Sequence, residues 1–445
     1  MHRAFHVDAC IPRLYIAHGF MRHNQASSPM FRFRLLAVLS ISVFLAAFRL
    51  AVRSESRSAP QARSSSNSSG QTIRGLERYE AMNSEPFAGK RLGLITNQTG
   101  VDTSGRRAID MFAGRRELKL VAIFSPEHGV SGKADAAVES ATDAATGLPV
   151  YSLYGETRRP TDAMLRGIDV LIFDIQDAGV RFYTYITTMA YCMEEAAKHH
   201  IPFIVFDRPD PLGGELLEGP VLDRDRLSFT GYFPMPVRYG MTIGELAKLL
   251  NAENKIGADL QVYTMMNWKR SETYDQTGLK WIPPSPNLRT VDAAFLYPGI
   301  EILQAGGVSV GRGTDTPFEV LGAPWIQGAE LAAEMNRRAV PGVRFEAALF
   351  TPREGVYAGE YCEGVSIQIT NRGALRSVTM GLEIADALHR LYPGKFQLGK
   401  IVELLGSQST VDRLARGEEP ARIVEGWRDD LDKFRAVREK YLIYH

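Results

Sequence analysis

The first half of the chain alternates short apolar runs with stretches of helical spacing. Residues 91–96 (Arg-Leu-Gly-Leu-Ile-Thr), 120–124 (Leu-Val-Ala-Ile-Phe), 170–175 (Val-Leu-Ile-Phe-Asp-Ile) and 203–206 (Phe-Ile-Val-Phe) are nearly unbroken by polar residues. Such runs predict strands buried on both faces of a sheet. Residues 104–112 and 186–199 carry apolar and small side chains at helical intervals between them. Strands alternating with helices predict a parallel sheet covered on both sides, an α/β fold. The pattern changes from about residue 232. A helix is predicted over 241–251, with Thr242 as cap and Glu245 three residues on. A further strand is predicted at 260–265, and 423–440 places Trp427, Leu431 and Phe434 on one helical face. Two long stretches rich in Pro and Gly, 281–289 and 306–317, are expected to be functional, since compact domains seldom keep long loops otherwise.

The beginning of the chain belongs to a different pattern. Residues 1–29 have no periodicity and are expected to be a non-native extension ahead of Met30. After Phe-Arg-Phe-Arg, residues 35–48 are free of charge. Arginines followed by an apolar run shorter than the ~20 residues of a membrane helix match a secretory signal. Arg49 and Arg53 close behind it leave an uncleaved membrane tether as the alternative. The stretch 54–71 is Ser-rich and reads as a linker. The expectation is an exported protein, periplasmic or extracellular, with domains at 72–231 and 232–445. A net charge of +1 without basic runs excludes a nucleic-acid partner. Cys192 and Cys362 lack zinc spacing and read as buried thiols.

The chemistry gathers at the predicted strand ends. The strand 120–124 runs through Ser125-Pro126 into Glu127, His128 and Gly129. The next strands end in Asp174 and Asp177, then in Asp207 and Arg208. Open α/β sheets bind ligands outside the carboxyl ends of their strands. The first turn, Asn97-Gln-Thr-Gly100, lacks the dinucleotide glycine fingerprint, and no Walker loop occurs, so no cofactor is expected. Gly307-Val-Ser-Val-Gly311 fits the serine-hydrolase elbow, but Arg312-Gly-Thr-Asp-Thr-Pro317 follows where a helix is required. A metal set of His128, Asp174, Asp177 and Asp207 lacks paired histidines, and none is expected. Paired carboxylates for glycosidic cleavage fit better. Glu127 then donates the proton, His128 assists, and Asp174, Asp177 or Asp207 supplies the second carboxylate. Arg181, Arg208 and Arg312 are candidates for an anionic substituent. The plainer readings are an Asp207–Arg208 structural pair, an Arg181 turn cap, and a Glu127-His128 turn that caps the next helix.

Many short blocks then carry a likeness. They include Asn97-Gln-Thr-Gly100, Phe124-Ser-Pro-Glu-His-Gly129, Val150-Tyr-Ser-Leu-Tyr-Gly155 and Arg181-Phe-Tyr-Thr-Tyr185. Asp207-Arg-Pro-Asp-Pro-Leu-Gly-Gly214, Pro284-Ser-Pro-Asn287, Tyr297-Pro-Gly299, Ser309-Val-Gly-Arg-Gly-Thr-Asp315 and Tyr441-Leu-Ile-Tyr444 follow in order. In these the chain resembles the bacterial exo-β-N-acetylmuramidases over about residues 75–445. The resemblance implies a Rossmann-like first domain, a smaller α+β second domain and an active site in the cleft between them. It implies release of N-acetylmuramic acid from the non-reducing ends of peptidoglycan fragments, with Glu127 as the catalytic glutamate. Tyr183, Asn287 and Asp315, within the matching blocks, become candidates for substrate contact. Muramic acid bears a lactyl carboxylate, for which Arg208 and Arg312, one from each domain, are the expected partners. One departure stands out. After Tyr-Pro-Gly many members have Glu-Gly-Thr-Asn, whereas this chain has Gln304-Ala-Gly-Gly307. The other readings are a serine esterase or amidase on wall substituents, through Ser309, and a wall-binding module without catalysis.

Overall fold

The four apolar runs at 91–96, 120–124, 170–175 and 203–206 form strands in the computed structural model, which describes residues 70–82, 86–134 and 138–445. The extension 1–29, the signal or anchor 30–53 and nearly all of the linker 54–71 lie outside the described residues. Among the described residues no helix is long and apolar enough to cross a membrane. The strands are β1 (Arg91–Thr96), β2 (Lys119–Ser125), β3 (Ala141–Thr142), β4 (Pro149–Ser152), β5 (Val170–Asp174), β6 (Phe203–Phe206) and β7 (Leu260–Tyr263). They make one sheet in the order β3-β4-β2-β1-β5-β6-β7, in which only the β3–β4 pair is antiparallel. The chain leaves β1 toward β2 and later returns to β5 on the other side of β1. That reversal opens the crevice where such sheets bind ligands.

The runs lack alternation because both sheet faces are buried. Leu171 and Phe173 of β5, with Phe203 and Val205 of β6, enter one core. Val170, Ile172, Ile204 and Phe206 enter a second on the opposite face, where Tyr79, Phe112 and Phe206 stack. Helices α1 (Gly75–Glu80), α2 (Ala108–Ala113) and α3 (Asp162–Leu165) are short, while α4 (Tyr185–Lys198) and α5 (Ile243–Glu253) are long. Thr242 caps α5 with Glu245 in the reciprocal box that the spacing predicts. β7 pairs with β6, so the first sheet continues past the boundary expected at 231/232.

The second half holds more structure than its loops foretell. Helix α6 (Val291–Gln304) runs straight through Pro298 and Gly299. It crosses α8 (Ser377–Leu391) so closely that a Cβ on Gly299 would stand 1.8 Å from the Ser377 carbonyl oxygen. Between them come β8 (Val320–Ala323), α7 (Gly328–Arg337), β9 (Val343–Phe350) and β10 (Cys362–Ile369). The three strands form an antiparallel sheet in the order β8-β10-β9. This smaller sheet shares its core with the large one through α4, α5, α6 and α8. The helix expected over 423–440 is broken into Pro420–Glu425 and Arg428–Arg438, with Trp427 between them. Cys192 and Cys362 are buried, unpaired thiols.

Buried charges lock the carboxyl ends of the strands. Asp174 of β5 is fully buried and accepts from Arg208 Nε at 2.7 Å, and Arg208 is itself 2% exposed. Asp207 follows β6 directly and accepts from the Gly244 amide at 2.7 Å, Thr242 Oγ1 at 2.8 Å and Tyr444 Oη at 2.6 Å. It thereby joins β6, the start of α5 and the carboxyl terminus. Tyr444 Oη in turn accepts from the Met265 amide at 2.8 Å. Losing this hydroxyl leaves a buried carboxylate and a buried amide each short of a partner. We expect Tyr444→Phe to cost about 1.5–3 kcal/mol, read as a shift of the denaturant midpoint.

Burial pushes the Asp207 carboxyl from its ordinary 3.8 up to about 7, against the pull of its donors. The folded form therefore keeps a proton that the unfolded chain gives up. This group's contribution is complete below about pH 4 and is lost as the pH rises through about 7. Asp207→Asn should be less stable throughout, yet its melting temperature should vary less than the parent's over that interval.

Candidate active site

A cavity of about 360 Å³ opens beyond the carboxyl edge of the large sheet. Glu127, His128, Tyr154, Arg158, Tyr183 and Thr184 line it from the first half, and Ser285, Tyr297, Glu301, Arg312 and Phe318 from the second. Glu127 arrives there because β2 ends at Ser125 and Pro126 cannot continue the ladder. Gly129, at φ 71°, and His128, at φ 70°, turn the chain through the left-handed region. His128 Nδ1 lies 2.5 Å from the Ala134 carbonyl oxygen. Only a protonated Nδ1 can donate to that oxygen, so His128 ties down the loop that leaves the glutamate.

Glu127 is half-buried, and its Oε2 accepts from Thr184 Oγ1 at 2.5 Å. Thr184 stands at the amino end of α4, where unpaired amides attract an anion. Tyr185 Oη donates to the Pro284 carbonyl at 2.6 Å, and Gln98 Nε2 donates to Pro283 and Pro284 at 2.8 and 3.1 Å. The turn after β1, the start of α4 and the Pro-rich loop are thus joined beneath the glutamate. Tyr297 meets Phe182, Tyr183 and Phe318 edge-on, with ring centroids 5.4, 6.0 and 4.9 Å apart. These rings give the cavity a stiff apolar wall, suited to the C–H face of a sugar.

Of the residues predicted for the site, Glu127, His128, Tyr183 and Arg312 line this cavity. The others are not among its lining residues. Asp174 and Arg208 spend their charges on each other. Asp177 is buried, accepts from Tyr239 Oη and from the Gly179 amide at 2.8 Å, and has its carboxyl pushed up to about 6 by burial. Asp207 caps α5. Arg181 donates to the carbonyls of Pro220, Met235, Leu404 and Leu405, all within 3.0 Å. It supports the cavity wall from behind, since Leu404 is a lining residue. Asn287 is buried. Asp315 lies on the surface, paired with Arg353 at 2.8 Å. The second carboxylate expected from Asp174, Asp177 or Asp207 is therefore absent from the cavity, because burial commits all three to the scaffold.

The carboxylate that does share the cavity is Glu301. It sits on α6 one turn before Gln304 and holds Arg312 at 2.7 Å. The loop that departs from the expected Glu-Gly-Thr-Asn begins at Gln304, and Glu301 brings a carboxylate to the cleft from one turn earlier. Reading α6 as a helix through Tyr297-Pro-Gly would have exposed that spacing. Arg158, three residues beyond the Val150–Gly155 block, is another lining residue that motif reading passes over. Ser309 is 2% exposed, and its amide and carbonyl pair with Gly322 of β8 at 2.8 and 2.9 Å. No helix follows it, so the nucleophile elbow is not formed. Among the described residues no three His, Cys, Asp or Glu side chains gather as metal ligands.

A carboxyl group delivered by a strand end into an aromatic-walled, sugar-sized cleft defines a glycoside-hydrolase type of site. The family profile of the amino-terminal domain of exo-β-N-acetylmuramidase NamZ matches residues 92–292, and that of its carboxy-terminal domain matches 295–444. The peptidoglycan β-N-acetylmuramidase NamZ of Bacillus subtilis (strain 168) is 46% identical over 361 residues, 80% of this chain and 87% of that protein. A crystal structure of a DUF1343 family protein from Bacteroides fragilis NCTC 9343 superposes with a TM-score of 0.79 at 38% identity. A second DUF1343 protein of that organism gives 0.69 at 31%. Each covers 84% of this chain and 99% of its own. The chain belongs to the exo-β-N-acetylmuramidase NamZ family.

Thr184 fixes one oxygen of Glu127 without contributing charge. Thr184→Val should leave the melting temperature within about 2 °C of the parent and lower kcat by about ten-fold. Thermal melts and steady-state kinetics on a chromogenic β-N-acetylmuramide check the two parts.

Proposed function

We propose that this glycoside hydrolase releases N-acetylmuramic acid from the non-reducing ends of peptidoglycan fragments, with Glu127 as the proton donor. The observation that carries this reading is the placement of Glu127, which β2 and the Thr184 hydrogen bond present to the cavity. In the proposed reaction the Glu127 carboxyl protonates the glycosidic oxygen as its bond to the anomeric carbon breaks. The carboxylate left behind then stands at the amino end of α4, whose dipole stabilises it. A water molecule adds to the anomeric carbon, and the proton the water loses restores the acid. His128 holds the loop, and Glu301 holds Arg312, so we assign both to positioning. The family membership and the identity to the Bacillus subtilis enzyme support this substrate class. We further propose that the protein acts outside the cytoplasm, in the periplasm or beyond. The charge-free run at 35–48, preceded by arginines, supports export.

Glu127→Gln preserves shape and removes the proton. It should lower turnover of a chromogenic β-N-acetylmuramide by about 10²–10⁴-fold. Binding of N-acetylmuramic acid, measured by calorimetry, should stay within a few-fold of the parent. A folded Glu127→Gln protein that hydrolyses the muramide at the parent rate would remove Glu127 from the chemistry.

A further inference from the structure

N-acetylmuramic acid differs from N-acetylglucosamine by a lactyl ether, and so by one carboxylate. An exo-acting site that prefers it needs a cation that the folded protein has not already neutralised. The arginines favoured by motif reading fail this requirement. Arg208 is buried against Asp174, Arg181 is spent on four carbonyl oxygens, and Arg312 is held by Glu301.

Arg158 differs from all of them. It lines the same cavity as Glu127 and is exposed. Its guanidinium carbon stands 4.2 Å from the ring centroid of Phe229 and 5.8 Å from that of Tyr154. Among the described residues it makes no ion pair, and its guanidinium donates no hydrogen bond. An aromatic ring steadies a cation without cancelling its charge or occupying its N–H donors as a carboxylate would. The neighbouring residue shows the contrast. Arg159 is paired with Glu194 and Glu195 on α4 and lies 3.7 Å over the ring of Tyr191. Thr157 Oγ1 closes the turn by donating to the Arg159 carbonyl at 2.7 Å and accepting from its amide at 3.0 Å. Arg159 therefore anchors the loop to α4, and the anchored loop presents Arg158 to the cavity.

We infer that Arg158, seated on Phe229 in the catalytic cleft, binds the lactyl carboxylate of the terminal muramic acid and sets the enzyme's preference for it. This deepens the muramidase reading and rests on it. The contact forms in the ground state and persists in the transition state, so its loss raises KM and leaves kcat largely unchanged.

The test compares a chromogenic β-N-acetylmuramide with its lactyl methyl ester, which keeps the shape and removes the charge. The parent should prefer the acid by about 10- to 150-fold in kcat/KM, the range of one charge-assisted contact. Arg158→Ala should bring that ratio close to one, mainly through KM, and Arg158→Lys should retain an intermediate preference. Melting temperatures should match the parent's, because the side chain is exposed. An Arg158→Ala enzyme that keeps the parent's ratio, or a parent that takes acid and ester equally, overturns the assignment. If the parent hydrolyses neither compound, the muramidase reading fails, and calorimetry then decides the role of Arg158. Tighter binding of N-acetylmuramic acid than of N-acetylglucosamine, lost in Arg158→Ala, sustains it, and equal binding of the two sugars ends it.

Discussion

The ion pair between Asp174 and Arg208 closes the carboxyl edge of the sheet, and the site depends on it. β5 and β6 lie side by side; β5 ends in Asp174, Arg208 lies two residues beyond β6, and both are buried. An unpaired charge there would cost several kcal/mol, so each residue requires the other. The pair stands beside the crevice that the strand order opens between β1 and β5. At the same edge Gln98, in the turn after β1, donates to the Pro283 and Pro284 carbonyls, and α4 starts where Thr184 meets Glu127.

A division of labour recurs between sequence neighbours around this edge. Asp207 gathers α5 and the carboxyl terminus, while Arg208 neutralises Asp174. Arg159 anchors its loop, and Arg158 faces the cavity. His128 fastens the turn through Ala134, and Glu127 lines the cavity. In each of the last two pairs one residue is fixed by protein partners so that the other can be offered to a ligand in a set position. Such preorganisation lowers the entropy lost on binding and keeps reactive groups aligned.

Burial on both faces left β1, β2, β5 and β6 legible. β1 and β6 have the bounds read from their apolar runs, and Thr242 and Glu245 cap α5 as their spacing predicts. Glu127 was legible for a related reason: a stiff strand, a proline and a glycine leave few ways to place what lies between them. Helix α6 was not, since Pro298 and Gly299 argue locally against a helix. The chain accepts them because α8 approaches so closely at Gly299, a contact about eighty residues away in sequence that no local pattern records. The small β8-β10-β9 sheet escaped for a different reason, since β9 fully buries only Phe345 and β8 is only four residues long.

The sequence by itself determined the α/β class, the strand that leads into Glu127, and the family. Those follow from local periodicity and from the order of short blocks. Only the tertiary structure decided which charged residues are free to act. Asp174, Asp207, Arg181 and Arg208 have the same letters as catalytic and binding groups, yet partners from distant segments occupy their charges or their hydrogen bonds. Arg158 and Glu301 carry no motif, and both reach the cleft. The physical reason is that a charge acts on a substrate only when folding leaves it at a surface with donors or acceptors unspent. That balance is struck between side chains far apart in sequence.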